Sequence, residues 1–356
     1  MTNFTPGPSQ LYFTVPDHIK AALRENIASL SHRSSAFEKI MADLITGLRE
    51  LLSIPAGHSV FFTSSATEIW ERSIQNLVAE KSFHFVNGAF SKRYHEIAIQ
   101  LGKKASTSQV QEGEGFRGNM NVEKDTELIA ITQNETSTGA SWPLEDIYAL
   151  RKDFPAALIV VDAVSSLPYP AFDFQQVDSV FFSVQKGFGL PAGLGVWIVN
   201  DRCLAKADSL LKQGINIGTY HNLPTLNTFA KKNQTPETPN VLGLYLLNKI
   251  VHDFLRRGAQ VIRKETEYKA AILYQALQQH PLASPFVKDA AFQSKTVVVA
   301  ETGANTKTIS QALQHKGLFP GDGYGKAKDS QLRFANFPAH SKEQYELLVD
   351  TLAELS

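Results

Sequence analysis

The sequence predicts an α/β fold with a second, smaller α+β unit behind it. Three observations carry this. Short apolar runs alternate with amphipathic segments through the first two-thirds of the chain. Several runs are apolar without alternation, the pattern of strands covered on both faces. After "NQTPETPN" (233–240) the texture changes to two long helical segments, followed by strands and helices in turn.

Taken in order, "SVFFT" (59–63), "SFHFVN" (82–87), "ELIAITQ" (127–133), "ALIVVDAV" (157–164), "SVFFSVQ" (179–185) and "GVWIVN" (195–200) read as strands. Between them, "ATEIWERSIQNLVAEK", "SKRYHEIAIQLGKK" and "LEDIYALRKDF" have helical spacing, which predicts a mixed, mostly parallel sheet flanked by helices. Helices are expected over 241–257 and 260–279. A strand "TVVVAET", a helix at 306–315, a strand "QLRFANF" and a helix from Ser341 then close the chain, with a boundary near residue 250. No repeat or low-complexity tract interrupts the pattern.

Composition narrows the function. Lys plus Arg and Asp plus Glu each number 35, so no net field recruits nucleic acid or an anionic membrane, although a local cluster can still hold a small anion. One cysteine, Cys203, excludes an internal disulfide and a multi-cysteine metal site, and reads as an idle thiol. The opening "MTNFTPGPSQ" has no secretory pattern, and no apolar run reaches the roughly 18 residues of a membrane span. The expectation is a cytoplasmic enzyme or binding protein.

Ligands in open α/β sheets sit at the carboxyl ends of strands. Those ends carry Thr63 to Thr67, Asn87 to Phe90, Gln133 to Thr136, Asp162, and Gln185 with Lys186. The "TSSAT" turn before a helix can surround a phosphate with backbone N–H groups, or be a plain serine cap. Asp162 ends a buried run, where an ionised carboxylate needs a cation or several donors, unless it only forms a turn. Lys186 ends another, and is either a surface charge or a catalyst. Together they match the needs of pyridoxal phosphate: a lysine for the Schiff base and an anion for the pyridinium nitrogen.

Other chemistries fit poorly. "GFGLPAG" is not a dinucleotide loop, because Pro191 and the following strand leave no room for a helix. The ten histidines show no His-Glu-x-x-His spacing, and a Gly-x-Ser-x-Gly elbow is missing, so neither metal nor serine hydrolysis is indicated. Arg333, inside the apolar "SQLRFANF", needs a carboxylate or phosphate to grip, or an ion pair or edge position instead. Arg33, in "SHRSSAF", reads as a solvated residue beside a helix.

"VVDAVSS", and "FFSVQKGFGLPAGLGVWIVN" some twenty residues on, resemble the cofactor core of the class V aminotransferases. "TSSATEIWERSIQNL", "VNGAFSKRYHEIA" and "LRFANFP" are similar to the same family in the same order, so the resemblance spans nearly the whole chain. "NFTPGPSQL", "SHRSSAFEKI", the Asn-Glu-Thr of "QNETSTG" and "NQTPETPN" resemble its phosphoserine aminotransferase branch.

The resemblance implies the type I aminotransferase form of the pyridoxal-phosphate-dependent transferase fold. It divides the chain into a large cofactor-binding domain over 15–250 and a small one built from 1–14 and 251–356. It makes Lys186 the Schiff-base lysine and Asp162 the pyridinium partner. Phe90 stacks on the ring, Thr136 bonds near the ring hydroxyl, and Ala66, Thr67 and Gln185 hold the phosphate. Gln234 and Thr235 reach that phosphate from a neighbouring subunit, which implies a homodimer with shared sites. Arg333 takes the substrate α-carboxylate, while His32 and Arg33 face its distal anion.

The chain departs from the family at three places: "SSAT" replaces a glycine-rich loop with arginine, Phe90 replaces a tryptophan, and "GDGYGKAKDSQLRF" lacks the C-terminal His-Arg pair, leaving Lys326 or Lys328 as substitutes. The implied reaction converts 3-phosphohydroxypyruvate and glutamate into phosphoserine and 2-oxoglutarate. An alanine-, serine- or glyoxylate-type aminotransferase and a non-catalytic cofactor-binding protein are the alternatives.

Overall fold

A computed structural model describes residues 1–118 and 121–355. The chain opens with β1 (Thr2–Phe4), α1 (Val15–Arg24) and α2 (Ser35–Leu52), then alternates β2 (His58–Thr63), α3 (Ala66–Leu77), β3 (Lys81–Val86), α4 (Ala89–Gln100) and β4 (Lys104–Gln109). Next come β5 (Leu128–Thr132), the small pair β6 (Asn134–Glu135) and β7 (Ala140–Ser141), α5 (Leu144–Asp153), β8 (Leu158–Asp162), β9 (Ser179–Ser183) and β10 (Gly195–Asn200). Helices α6 (Asp201–Lys212), α7 (Leu223–Ala230), α8 (Val241–Arg257) and α9 (Ala259–Gln279) follow. The remainder holds β11 (Ser284–Pro285), β12 (Val297–Glu301), α10 (Thr306–His315), β13 (Leu318–Asp322), β14 (Gln331–Ala335) and α11 (Lys342–Ala353).

Two principal sheets organise these elements. A seven-stranded sheet runs in the order β2-β10-β9-β8-β5-β3-β4, parallel from β9 through β4, with β10 antiparallel to both its neighbours. The second has five strands, β1-β13-β14-β12-β11. The mixed, mostly parallel sheet expected from the sequence is therefore present. All six predicted strands of the first 200 residues belong to it.

The large sheet is buried on both faces because successive side chains point to opposite sides. Val60, Phe62, Val180, Phe182, Val196 and Ile198 enter one core, shared with residues of α2 and α8. Phe61, Phe181, Trp197 and Val199 enter the other, beneath α3, α4, α6 and α7. Each fully buried large side chain contributes about 1.5–3 kcal/mol relative to exposure. The edge strand β4, "KASTSQ", has no apolar run, and its sequence accordingly carries no strand signal. One long helical stretch is split at Gly258, whose φ of +89° lies outside the helical region and suits a residue without Cβ.

This topology positions the site. Parallel β5, β8 and β9 deliver their carboxyl ends, Thr132, Asp162 and Ser183, to the same edge. β14 brings Arg333 there from the second sheet.

Candidate active site

Asp162 is the last residue of β8 and is buried. Its Oδ2 accepts the indole N–H of Trp70 at 2.8 Å, and its Oδ1 accepts the Val164 N–H at 2.9 Å. Burial pushes its carboxyl up to about 6, against the two donors and the positive charge of Lys186, which pull it down. The group therefore remains mostly ionised at neutral pH while solvated only by protein donors.

Lys186 stands three residues beyond β9 and is likewise buried. Its Nζ donates to Thr136 Oγ1 at 2.9 Å and lies 5.2 Å from the centroid of the Phe90 ring. Burial, reinforced by Arg333, lowers its amine to about 8, although Asp162 and Glu135 favour the charged form. A lysine so shifted has a usable neutral fraction near pH 7.

The backbone around Lys186 leaves little room. A Cβ on Gly7 would come within 2.8 Å of Lys186 Cε, and Ser9 N–H donates to the Gln185 carbonyl at 3.0 Å. A Cβ on Gly187 would meet the Leu167 carbonyl oxygen at 2.0 Å. The glycines of "KGFG" thus permit close packing of backbone behind the lysine, and Gly189 takes a left-handed φ of +60° to turn the chain.

Thr136 follows the β6 end of the small hairpin. Its neighbour Glu135 is fully buried and accepts from Ser91 N–H at 2.9 Å, Ser91 Oγ at 2.9 Å, and Ser137 N–H and Oγ at 3.1 and 2.7 Å. It thereby caps α4 and fixes Phe90 in its first turn. Gly88 is required beside it, because a Cβ there would lie 2.4 Å from Glu135 Cγ.

Arg333 lies on β14, an interior strand, so an edge position does not explain it. Its Nε donates to the Asp322 carbonyl at 2.7 Å and its Nη1 to the Thr136 carbonyl at 3.4 Å, and its guanidinium sits 5.5 Å from the Tyr324 ring. Among the described residues no carboxylate pairs with it. Tyr324 also meets Phe90, with ring centroids 5.2 Å apart. Lys186, Asp162, Thr136, Phe90 and Arg333 therefore assemble in one place.

At the start of α3, Ser65 Oγ accepts the Glu68 N–H at 3.2 Å and Ser183 Oγ accepts the Ala66 N–H at 2.8 Å. The Thr67 N–H has no acceptor among the described residues, and Thr67 is exposed. Of the expected phosphate donors, Ala66 is thus already engaged while Thr67 is free. Gln185 is half-buried beside Lys186.

Of the remaining predicted residues, Arg33, Gln234 and Thr235 meet within the single chain. Arg33 donates to Gln234 Oε1 at 3.1 Å and to the carbonyls of Thr235 and Pro236 at 2.6 and 3.1 Å. It is therefore tied to the chain and not simply solvated. His32 adjoins it, half-buried. Among the described residues no hydrogen bond or ion pair joins this group to Lys186. Lys326 and Lys328 are exposed, and Cys203 is buried, with its thiol pushed well up by desolvation.

Sequence reading assigned no role to Trp70, Glu135 or Gly7. Trp70 sits on the buried face of an amphipathic helix, where it is indistinguishable from core. Glu135 was visible at a strand end, yet nothing local shows that it caps a helix begun 46 residues earlier.

A buried amine and a buried carboxylate at neighbouring strand ends, beside an aromatic ring and an arginine without a carboxylate partner among the described residues, define a cofactor-dependent amino-group transferase. The family model "Aminotransferase class-V" matches residues 1–323, and the chain belongs to that family. A crystal structure of a phosphoserine aminotransferase from Cytophaga hutchinsonii is 50% identical, covers 99% of this chain and 98% of its own, and superposes with a TM-score of 0.98. The phosphoserine aminotransferase of a Nocardioides species is 27% identical over 98% of this chain and 94% of its own. An aspartate aminotransferase from Thermus thermophilus, 22% identical over 100% of both chains with a TM-score of 0.86, shares the fold.

The fold is thus that of the pyridoxal-phosphate-dependent aminotransferases, and the enzyme is a transaminase. The residues present fit pyridoxal phosphate. The amine, the anion, the ring and the free Thr67 N–H match its aldehyde, pyridine nitrogen, ring face and phosphate in kind. Thr132 Oγ1, buried, without a partner among the described residues and in register with Asp162, adds an unsatisfied polar atom next to it in the sheet.

Proposed function

We propose that this aminotransferase converts 3-phosphohydroxypyruvate and glutamate into phosphoserine and 2-oxoglutarate, in serine biosynthesis. The observation that carries an α-amino acid substrate is Arg333. It is a half-buried arginine without a carboxylate partner among the described residues, within 3.4 Å of the Thr136 carbonyl and next to the reactive amine. Arginine can take a carboxylate bidentately, and that geometry would fix the substrate's α-carbon relative to Lys186. The phosphorylated substrate is supported by the name of the 50% identical Cytophaga protein and of the Nocardioides relative.

In this reading Lys186, Asp162, Phe90, Thr136, Ala66, Thr67 and Gln185 hold pyridoxal phosphate. Bound there, the cofactor supplies an electron-accepting ring that stabilises the charge left when the substrate Cα–H is broken. Asp162 holds a proton at the heterocyclic nitrogen by presenting a fixed anion. Lys186 Nζ, neutral once its proton is lost, takes the Cα proton and returns it during the second half of the exchange. Thr136 Oγ1 orients that amine. Phe90 and Tyr324 shield the site from water.

Gln234 and Thr235 would reach the cofactor phosphate of a partner subunit, with Arg33, which is bonded to both, and His32 facing the substrate's distal anion. That arrangement requires a homodimer with shared sites. The division into 15–250 and 1–14 with 251–356, and a cytoplasmic location, belong to the same proposal. No helix among the described residues is long and apolar enough to cross a membrane.

A second reading, an alanine-, serine- or glyoxylate-type aminotransferase, draws support from the 321–330 loop. It sets an exposed Tyr324 against Phe90 and leaves Lys326 and Lys328 exposed, with no arginine for a substrate phosphate. Comparing kcat/KM for phosphoserine, serine and alanine against 2-oxoglutarate, pyruvate and glyoxylate tests the choice. Phosphoserine with 2-oxoglutarate should lead; equal or better rates with serine or alanine would overturn the proposal.

A further inference from the structure

His221 precedes α7 in a left-handed conformation, φ +51°, that a non-glycine residue holds only when its surroundings fix it. Its ring is buried. Nδ1 lies 2.5 Å from Glu68 Oε1, and Nε2 lies 3.1 Å from Glu237 Oε2, the latter an ion pair without good hydrogen-bond alignment. Burial disfavours the charged ring, but the two carboxylates outweigh it and raise His221 to about 9. It is an imidazolium at neutral pH.

The two acids lead to different segments. Glu68 Oε2 accepts the Ser64 N–H at 2.9 Å and the Ser64 hydroxyl at 2.6 Å, and the carboxyl is held down at about 2. Glu237 lies in the segment containing Gln234 and Thr235, and its carbonyl accepts from Thr235 Oγ1 at 2.7 Å. A continuous path thus runs from the 64–67 turn through Glu68, His221 and Glu237 to the 234–237 segment.

An ordinary helix cap would need only Ser65 and Glu68. The buried cation is additional, and its electrostatic consequence is specific. Without it, Glu68 would present an uncompensated anion next to the free Thr67 N–H and the positive end of α3, where it would compete with and repel a phosphate.

We propose that Glu68, His221 and Glu237 are positioning residues that prepare the 64–67 turn for the phosphate group of the cofactor, with the His221 cation cancelling the carboxylate charge there. The inference rests on the reading that this turn receives that phosphate.

The test is binding of pyridoxal phosphate and of pyridoxal, which lacks the phosphate, to cofactor-free protein, with inorganic phosphate as competitor. His221→Asn removes the charge while keeping a polar side chain; Glu237→Gln breaks the far end and leaves Ser64 and Glu68 joined. Thermal unfolding confirms that each variant is folded, and Glu237→Gln decides if His221→Asn is not. The expected result is a loss of about tenfold or more in affinity for pyridoxal phosphate with His221→Asn, and an equal or higher affinity with Glu237→Gln, which removes an anion and keeps the His221–Glu68 pair. Affinity for pyridoxal should change less than about twofold, because the variants leave Lys186 and Asp162 untouched. In His221→Asn, equal losses for both ligands would show a merely structural role and overturn the proposal, as would an unchanged phosphate preference; so would a selective loss of pyridoxal phosphate affinity in Glu237→Gln. If the unaltered protein itself shows no preference for the phosphorylated ligand and no competition by phosphate, the underlying reading of the turn fails instead.

Discussion

Trp70→Phe isolates one hydrogen bond at the centre of the site. The substitution deletes the indole N–H that Asp162 Oδ2 accepts at 2.8 Å. An aromatic ring remains to pack against Tyr94, whose ring lies 5.9 Å from that of Trp70 at an interplanar angle of 20°. A hydrogen bond to a charged group is worth about 1.5–3 kcal/mol, and one pKa unit corresponds to about 1.4 kcal/mol. Removing this donor from the ionised carboxylate should therefore raise Asp162 by about one to two units.

Asp162 starts at about 6, so the variant should titrate between about 7 and 8 in the cofactor-free protein. At pH 7 the ionised fraction falls from about nine-tenths to between about one-half and one-tenth. The assay is cofactor affinity across pH 5 to 9, alongside the acidic limb of kcat/KM. Both should move to higher pH, with recovery at about pH 9. Superimposable profiles would refute the assignment of Trp70 as the group that keeps Asp162 charged.

Lys186, lowered from 10.5 to about 8, should react with an amine-specific reagent in the cofactor-free protein from about pH 8 upward, well before exposed lysines. Below that pH the amine is protonated and inert; residue-level mass spectrometry across pH reads this, and a midpoint near 10.5 would contradict it. Lys186→Ala should cost at least about 100-fold in transamination, as expected for a lost acid–base group, and normal turnover would sink its assignment. Arg333→Lys should raise KM for the amino acid about tenfold or more with cofactor affinity retained, since a point charge cannot reproduce the bidentate grip; an unchanged KM counts against carboxylate binding. Gly88→Ala places a methyl group 2.4 Å from Glu135 Cγ and should destabilise the protein by about 1–3 kcal/mol, read from denaturant unfolding.

The sequence alone was enough to place strands ending at Asp162 and next to Lys186, because buried runs and strand ends are local patterns in hydropathy. Chemistry then paired the two residues, since few sites need a buried lysine and a buried aspartate together. Arg333 was legible for the same reason, as a charge within an apolar strand. The joining of Arg33 to Gln234 and Thr235 was not, because nothing near those residues records which parts of the fold they face.

Tertiary structure decided which groups surround Asp162, Lys186 and Arg333. Trp70 meets Asp162 across 92 positions, Lys186 meets Thr136 across 50, and Arg333 meets the Thr136 carbonyl across 197. It also brought Gly7 against Lys186 and placed His221 between Glu68 and Glu237. Periodicity reports which side of an element is buried, but not which residue on a distant element comes to lie against it. A hydrogen bond depends on separations of about 3 Å, and over such sequence distances only the packed fold can set them.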